Sequence, residues 1–246
     1  MKKKIYKIIF VICIAVFLFS AGNLIKYHLA STAERNHLEE LARKVAPSEA
    51  DDPSPLPGYK KLHQENTDMI GWIKVDNTRI SYPVMQTKKD PEYYLRRNFD
   101  KEYSISGLPF LDASCNLSPP STNLIIYGHH MKNGTMFFDL LKYEEEDFWV
   151  ENPTFAFDLI DREQRYQVVA AFYSKIYPKD SRAFRYYTFM EASDEKAFDD
   201  YIKEIKSLSL YDTGIIPSFG DQLLTLSTCS YHTKNGRFAI LARKIS

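Results

Sequence analysis

Cysteine is scarce, with three in 246 residues. Cys13 falls inside an apolar run, which leaves Cys115 and Cys229 for the rest of the chain. Two thiols cannot build a disulfide-dense scaffold; one bridge is the most they can form. Charge of one sign is also lacking: 32 lysines and arginines balance 32 aspartates and glutamates. Lys2, Lys3, Lys4 and Lys7 precede the apolar run, and without them 28 basic residues face 32 acidic ones, a formal charge of about −4. A chain so balanced has no general excess of positive charge to offer a nucleic acid, so no such partner is expected. Internal repeats and low-complexity tracts are missing too. The length suits one substantial domain with appendages.

What the chain does have at its start is an uncharged stretch, "IIFVICIAVFLFSAGNLI", from Ile8 to Ile25. Roughly 18 apolar residues at a rise of about 1.5 Å each can span a bilayer core. Lysines ahead of it, with Lys26 and His28 behind, predict a single pass with the N-terminus inside. "FSAG" supplies small residues of the kind cut in a secretory signal peptide, but the run is longer than a usual signal core and favours a retained anchor. On either reading residues 27–246 are expected to be extracellular. Residues 1–26 thus read as a basic tail and anchor, and 27–58 as a helix plus spacer. Within the latter, "YHLASTAERNHLEELARKVA" carries Leu29, Ala33, Leu38, Leu41 and Ala42 at mostly helical spacing. "PSEADDPSPLPG" follows with four prolines, which read as an extended spacer.

From about Tyr59 to Ser246, strand patterns dominate. "GWIKVDNTRISYPVM" alternates around a turn at Asp76-Asn77 and predicts a hairpin. "NLIIYGHHM", "RYQVVAAFYSKIY", "DQLLTLSTC" and "RFAILARK" are further β-rich runs. Two helices interrupt them. "GTMFFDLLKY" is a short one; "SDEKAFDDYIKEIKSLS" is longer, with Ser193 as its expected N-cap and Ala197, Phe198, Tyr201, Ile202, Ile205 and Leu208 on one face. Many strands and few helices predict a mainly β barrel or sandwich.

The chemistry centres on Cys229. Strand alternation places Leu223, Thr225, Ser227 and Cys229 on one face, and Leu224, Leu226 and Thr228 on the other. "SYHTKNG" then turns at Asn235-Gly236, and Arg237 opens the next strand. Thiol and guanidinium therefore lie near one end of a hairpin, where a fixed positive charge can favour a thiolate or hold an oxyanion. A histidine for proton exchange must come from far upstream, at "GHH". Three plainer readings compete: a Cys115–Cys229 disulfide, a zinc site drawn from Cys229, His232, His129 and His130, and a buried structural cysteine. Adjacent histidines on a strand face opposite ways, which works against the zinc site. Cys115 itself lies in "DASCNLSPPS", which reads as a surface loop.

"TLSTC" with an arginine on the following strand resembles the active-site signature of sortases, the cysteine transpeptidases of Gram-positive cell surfaces. "YGHHMKNGTMF" resembles their histidine segment. "NTDMIGWIKVDNTRISYPVMQ", "YYLRRNF" and the long helix ahead of the penultimate strand look like class B sortases, and the likeness extends over nearly the whole chain. It implies an eight-stranded β-barrel with an N-terminal helix and an extra helix before the penultimate strand. It matches Cys229 to the nucleophile, His129 to the general acid/base and Arg237 to the oxyanion-binding or substrate-positioning cation. Leu95, Ser227, Thr228 and Tyr187 match the walls of the sorting-signal groove. The implied partners are surface proteins with a C-terminal sorting signal, cleaved after threonine, and a peptidoglycan precursor amine. A pilus-assembling sortase, with a pilin lysine as the amine, and a non-enzymatic exported binding module are the rival readings. The chemistry requires no metal or organic cofactor. One departure stands out: class B members often carry asparagine where this chain has Pro91, which lacks both the side-chain amide and the backbone donor.

Overall fold

The computed structural model describes residues 2–46 and 54–246. By its internal contacts the chain divides into Met1–Leu41 and Ala42–Ser246. In the first unit the helix α1, Lys2–Lys44, begins as one continuous element. The sequence reading expected the apolar run and the following amphipathic stretch as separate segments; no break divides them here. Among the described residues α1 is the one helix long and apolar enough to cross a membrane, and none of its apolar window is buried. Of the stripe expected between residues 27 and 46, Leu38 and Leu41 are buried while Leu29 is exposed.

In the second unit, the first part of the expected proline-rich spacer, residues 47–53, lies outside the described residues. Its end is not a spacer. Leu56–Glu65 forms a helix, α2, with Pro55 at the N-cap and Pro57 in the first turn. Proline is tolerated there because first-turn amides have no intrahelical acceptor to lose. A Cβ at Gly58 would meet Lys44 O at 2.7 Å, so the chain passes too close for any side chain. Tyr59 of α2 stacks on Trp72 at 5.9 Å and donates its hydroxyl to Asp158 at 3.0 Å.

Eight strands follow: β1 Met69–Lys74, β2 Ser81–Met85, β3 Phe110–Leu111, β4 Asn123–Gly128, β5 Thr154–Leu159, β6 Arg165–Lys175, β7 Leu223–Cys229 and β8 Gly236–Lys244. They close a barrel in the order β1-β2-β3-β4-β7-β8-β6-β5. The predicted first hairpin is present, with Asn77 in a left-handed conformation at its turn and Lys74 paired with Ser81. "GTMFFDLLKY" forms a 3-10 helix, Phe137–Glu144, followed by the short α3, Glu146–Glu151.

The longer predicted helix is α4, Glu195–Leu208. Its N-cap is Asp194 rather than Ser193: the Asp194 carboxylate accepts from Ala197 N at 2.8 Å, satisfying one of the free first-turn amides. Phe198, Tyr201, Ile202 and Ile205 are buried against Val169 and Phe172 of β6, Leu223 of β7 and Ala239 and Leu241 of β8. Each such side chain contributes about 1.5–3 kcal/mol on burial. Strands β6, β7 and β8 thus bury both faces, one inside the barrel and one beneath α4. That accounts for their nearly continuous apolar sequences.

Candidate functional site

The site is set by two strand registers. β4 runs parallel to β7 with Gly128 opposite Thr228, and Thr228 Oγ1 donates to Gly128 O at 2.7 Å. The next residue on each strand is His129 and Cys229 respectively, so they leave the ladder side by side. β7 runs antiparallel to β8, with Cys229 directly opposite Arg237. The loop between them is closed by Ser230 N donating to Gly236 O at 3.0 Å, with left-handed Asn235 at the predicted turn. Imidazole, thiol and guanidinium therefore share one end of the barrel, and all three line a cavity of about 420 Å³.

The imidazole and the guanidinium are each held by a backbone carbonyl. The His129 ring meets Leu95 O at 3.0 Å through Nε2. A carbonyl can only accept, so this nitrogen carries the hydrogen and the neutral ring keeps its lone pair on Nδ1. Burial holds the His129 pKa below its ordinary value, and the nearby charges of Arg96 and Arg237 push the same way; the Leu95 bond opposes them. Phe137 closes over the strand end: a Cβ on Gly128 would lie 2.6 Å from its ring, so the residue before His129 must be glycine. Arg237 Nη1 donates to Gly236 O at 3.0 Å.

Leu95, Ser227, Thr228 and Tyr187, singled out in the sequence as groove residues, all line the same cavity. Pro91 does too, so the wall lacks an amide donor at that point. Tyr187 accepts from Tyr177 N at 2.9 Å, which fixes its ring in the wall. Sequence reasoning missed Tyr127 and Ile176 in the lining and Tyr186 behind it. Their strand and loop contexts carried no chemical signature.

The other thiol and histidines are elsewhere. All three cysteines are free. Cys115, expected on a surface loop, is fully buried; its thiol donates to Asn123 O at 3.5 Å, and burial pushes its pKa up to about 11. His130 packs between Phe138 and Tyr231, at ring distances of 4.9 and 5.5 Å. His232 faces Ser230 Oγ at 3.0 Å and lies 4.5 Å from the Tyr173 ring. Among the described residues no group of three or more His, Cys, Asp and Glu is arranged to hold a metal ion. Ser230 also bonds to Tyr173, whose hydroxyl donates to Glu144. The loop after Cys229 is thereby tied to the segment that follows His129.

Comparison with known proteins agrees with this geometry. A family model described as a sortase domain matches residues 73–245. The chain is 33% identical to sortase B of Listeria monocytogenes over 189 residues, 76% of this chain and 74% of that protein. It is 26% identical to sortase B of Staphylococcus aureus over 246 residues, covering 99% and 98% respectively. Among solved structures, a Staphylococcus aureus sortase B–substrate complex superposes with a TM-score of 0.75 at 26% identity, over 89% of this chain and 99% of that one.

Proposed function

Because the chain belongs to the sortase family, and within it to class B, we propose that Cys229, His129 and Arg237 carry out its transpeptidation. Sortases are cysteine transpeptidases, and so is this protein; the substrate and the residue roles are our assignment. The register that sets Cys229 opposite Arg237, with His129 emerging beside Cys229 in the same cavity, is the observation that carries it.

The substrate is a protein with a C-terminal sorting signal, bound along the cavity wall formed by Leu95, Tyr187, Ser227 and Thr228. His129 Nδ1 accepts the thiol proton, and the Cys229 sulfur attacks the carbonyl carbon that follows a threonine. The carbonyl π pair moves to oxygen, and Arg237 stabilises that oxyanion. As the tetrahedral species collapses, the C–N bond breaks and imidazolium returns its proton to the leaving amine. A thioacyl-enzyme remains. An amine of a peptidoglycan precursor then attacks it, His129 takes the amine proton, and the thiolate departs. The lowered pKa of His129 favours a neutral imidazole in the free enzyme, ready to act as a base. The apolar part of α1 serves as membrane anchor, with its N-terminus inside and the barrel outside.

The test is cleavage of a sorting-motif peptide library by the full chain in detergent, with products identified by mass spectrometry. Cleavage after threonine, with transfer to an added cell-wall amine, is the expected result. No cleavage of any member would overturn the assignment, and transfer only to a lysine side chain would replace the acceptor by a pilin.

A further inference from the structure

The Leu95 carbonyl that holds the His129 ring belongs to a 3-10 helix, Tyr93–Arg96, in the connection between β2 and β3. Its neighbour Tyr94 is fully buried. The Tyr94 hydroxyl donates to Asp68 Oδ2 at 2.9 Å and accepts from Asn66 Nδ2 at 2.9 Å. Both partners sit in the turn between α2 and β1. The same two side chains hold the segment further on: Asn66 Nδ2 also donates to Phe99 O at 2.7 Å, and Asp68 pairs with the Lys101 ammonium at 2.9 Å. Asn66 is itself buried, and its Oδ1 accepts from Asp68 N at 3.1 Å, which closes the turn on itself. Burial works against the Asp68 charge, but the bonds from Lys101 and Tyr94 hold its pKa below the ordinary value. From the other side Leu108 N donates to Tyr94 O at 3.0 Å, and a Cβ on left-handed Gly107 would lie 2.5 Å from Leu95 O. None of Asn66, Asp68 and Tyr94 lines the cavity.

We infer that Asn66, Asp68 and Tyr94 are positioning residues of the proposed reaction: acting through Leu95, they fix the carbonyl that orients the His129 ring. The inference rests on the proposed roles of His129 and Cys229 and adds the frame that aligns them. The bond from Nε2 to Leu95 O keeps the hydrogen off Nδ1, the atom that takes the thiol proton. When that proton arrives the ring becomes imidazolium, and a hydrogen bond from a charged donor is roughly twice as strong as a neutral one. The carbonyl therefore contributes more in the transition state than in the resting enzyme. It can do so only if its segment is held still, since a displacement of about 1 Å far from the chemistry can cost about 10²-fold in rate. Tyr93–Arg96 lies outside every strand, so no ladder holds it. The side chains of one turn do that instead.

NMR titration of the full chain in detergent, with isotope-labelled histidine, tests it without a substrate; His129→Ala identifies the His129 signals. In the wild type the ring nitrogens should report the hydrogen on Nε2. Tyr94→Phe keeps the buried ring and removes the hydroxyl that Asn66 and Asp68 share. It should lower the His129 pKa further, because the Leu95 bond that raises it is loosened, and spread the hydrogen over both nitrogens. Arg96, Arg237 and the Cys229 thiol, the charged and titratable groups that face this ring, are unchanged in the variant. In peptide cleavage kcat should fall by about threefold to thirtyfold, with a smaller change in KM. Asp68→Ala should behave like Tyr94→Phe. Asp68→Asn, which still accepts from the phenol, should recover most of the lost kcat and the wild-type titration. Asp68 is partly exposed, so its variants decide the question if Tyr94→Phe does not fold. An unchanged His129 titration in folded Tyr94→Phe or Asp68→Ala, or a loss confined to KM, would overturn the inference. A wild-type chain that cleaves no peptide would overturn the proposed function instead; the titration would still show whether the turn holds His129.

Discussion

Cys229 and Arg237 are direct cross-strand partners at the loop end of the β7–β8 hairpin. A guanidinium fixed across from the sulfur is well placed to meet negative charge that develops two bonds away from it, on the oxygen of the attacked carbonyl. If that is its role, its contribution is largest in the transition state. Arg237→Ala should lower kcat by about 10²–10³, the range for loss of one oxyanion donor, with little change in KM. Arg237→Lys should restore only part, since it keeps the charge and loses the planar fork. Steady-state kinetics on one peptide decides it: normal kcat with raised KM would assign Arg237 to substrate binding alone.

The two adjacent histidines should separate cleanly. His129 lines the cavity while His130 packs between Phe138 and Tyr231. His129→Ala should therefore reduce turnover by about 10²–10⁴. His130→Ala should leave most of the activity and cost about 1–3 kcal/mol of stability from lost packing. Turnover and thermal melts on both variants give the ranking.

Stability should also depend on pH through these rings. Burial lowers the pKa of both below the ordinary 6.5. Just below 6.5 the unfolded chain thus binds more protons than the folded one. Folding free energy is fully present above that pH and is lost as pH falls through the window beneath it. Melting temperatures taken between about pH 7.5 and 5.5 should fall, and His130→Ala should flatten the slope.

Of the two cysteines outside the apolar run, Cys229 alone should show thiol chemistry. In the native fold a soluble alkylating reagent should modify it and abolish cleavage, while Cys115, fully buried with its pKa raised to about 11, stays unmodified. Cys115→Ala should retain most activity and Cys229→Ala none. A native mass two units lighter than the fully reduced chain would reveal a bridge instead.

Protease added to intact protoplasts should digest the barrel and leave the N-terminal tail, as an inside-first anchor demands. A protected barrel would reverse the topology.

Much of the site was readable because it is local. Alternation along "LLTLSTC" and the Asn-Gly turn were enough to put Cys229 and Arg237 at one end of a hairpin. The partner on the other side of β7 was not readable, since no local pattern says that β4 pairs with it in parallel; there the likeness to sortases supplied His129. α2 was hidden by its prolines, which look like a spacer unless they fall in a first turn. Cys115 misled because its polar neighbours suggest exposure, although its own side chain turns inward toward Asn123. Tyr186 had no sequence signal at all.

The parallel pairing of β4 with β7 has a bearing on the order of folding. Gly128 and Thr228 are bonded across 100 residues of intervening chain, a closure whose entropy alone costs about 4 kcal/mol. Contacts of that span form slowly and reward the chain late. The β7–β8 hairpin can assemble early and by itself, but it carries only the sulfur and the guanidinium. Imidazole joins them when the barrel shuts. Until the barrel shuts, the thiol therefore stands without the imidazole, and all three groups are together only once β4 has met β7.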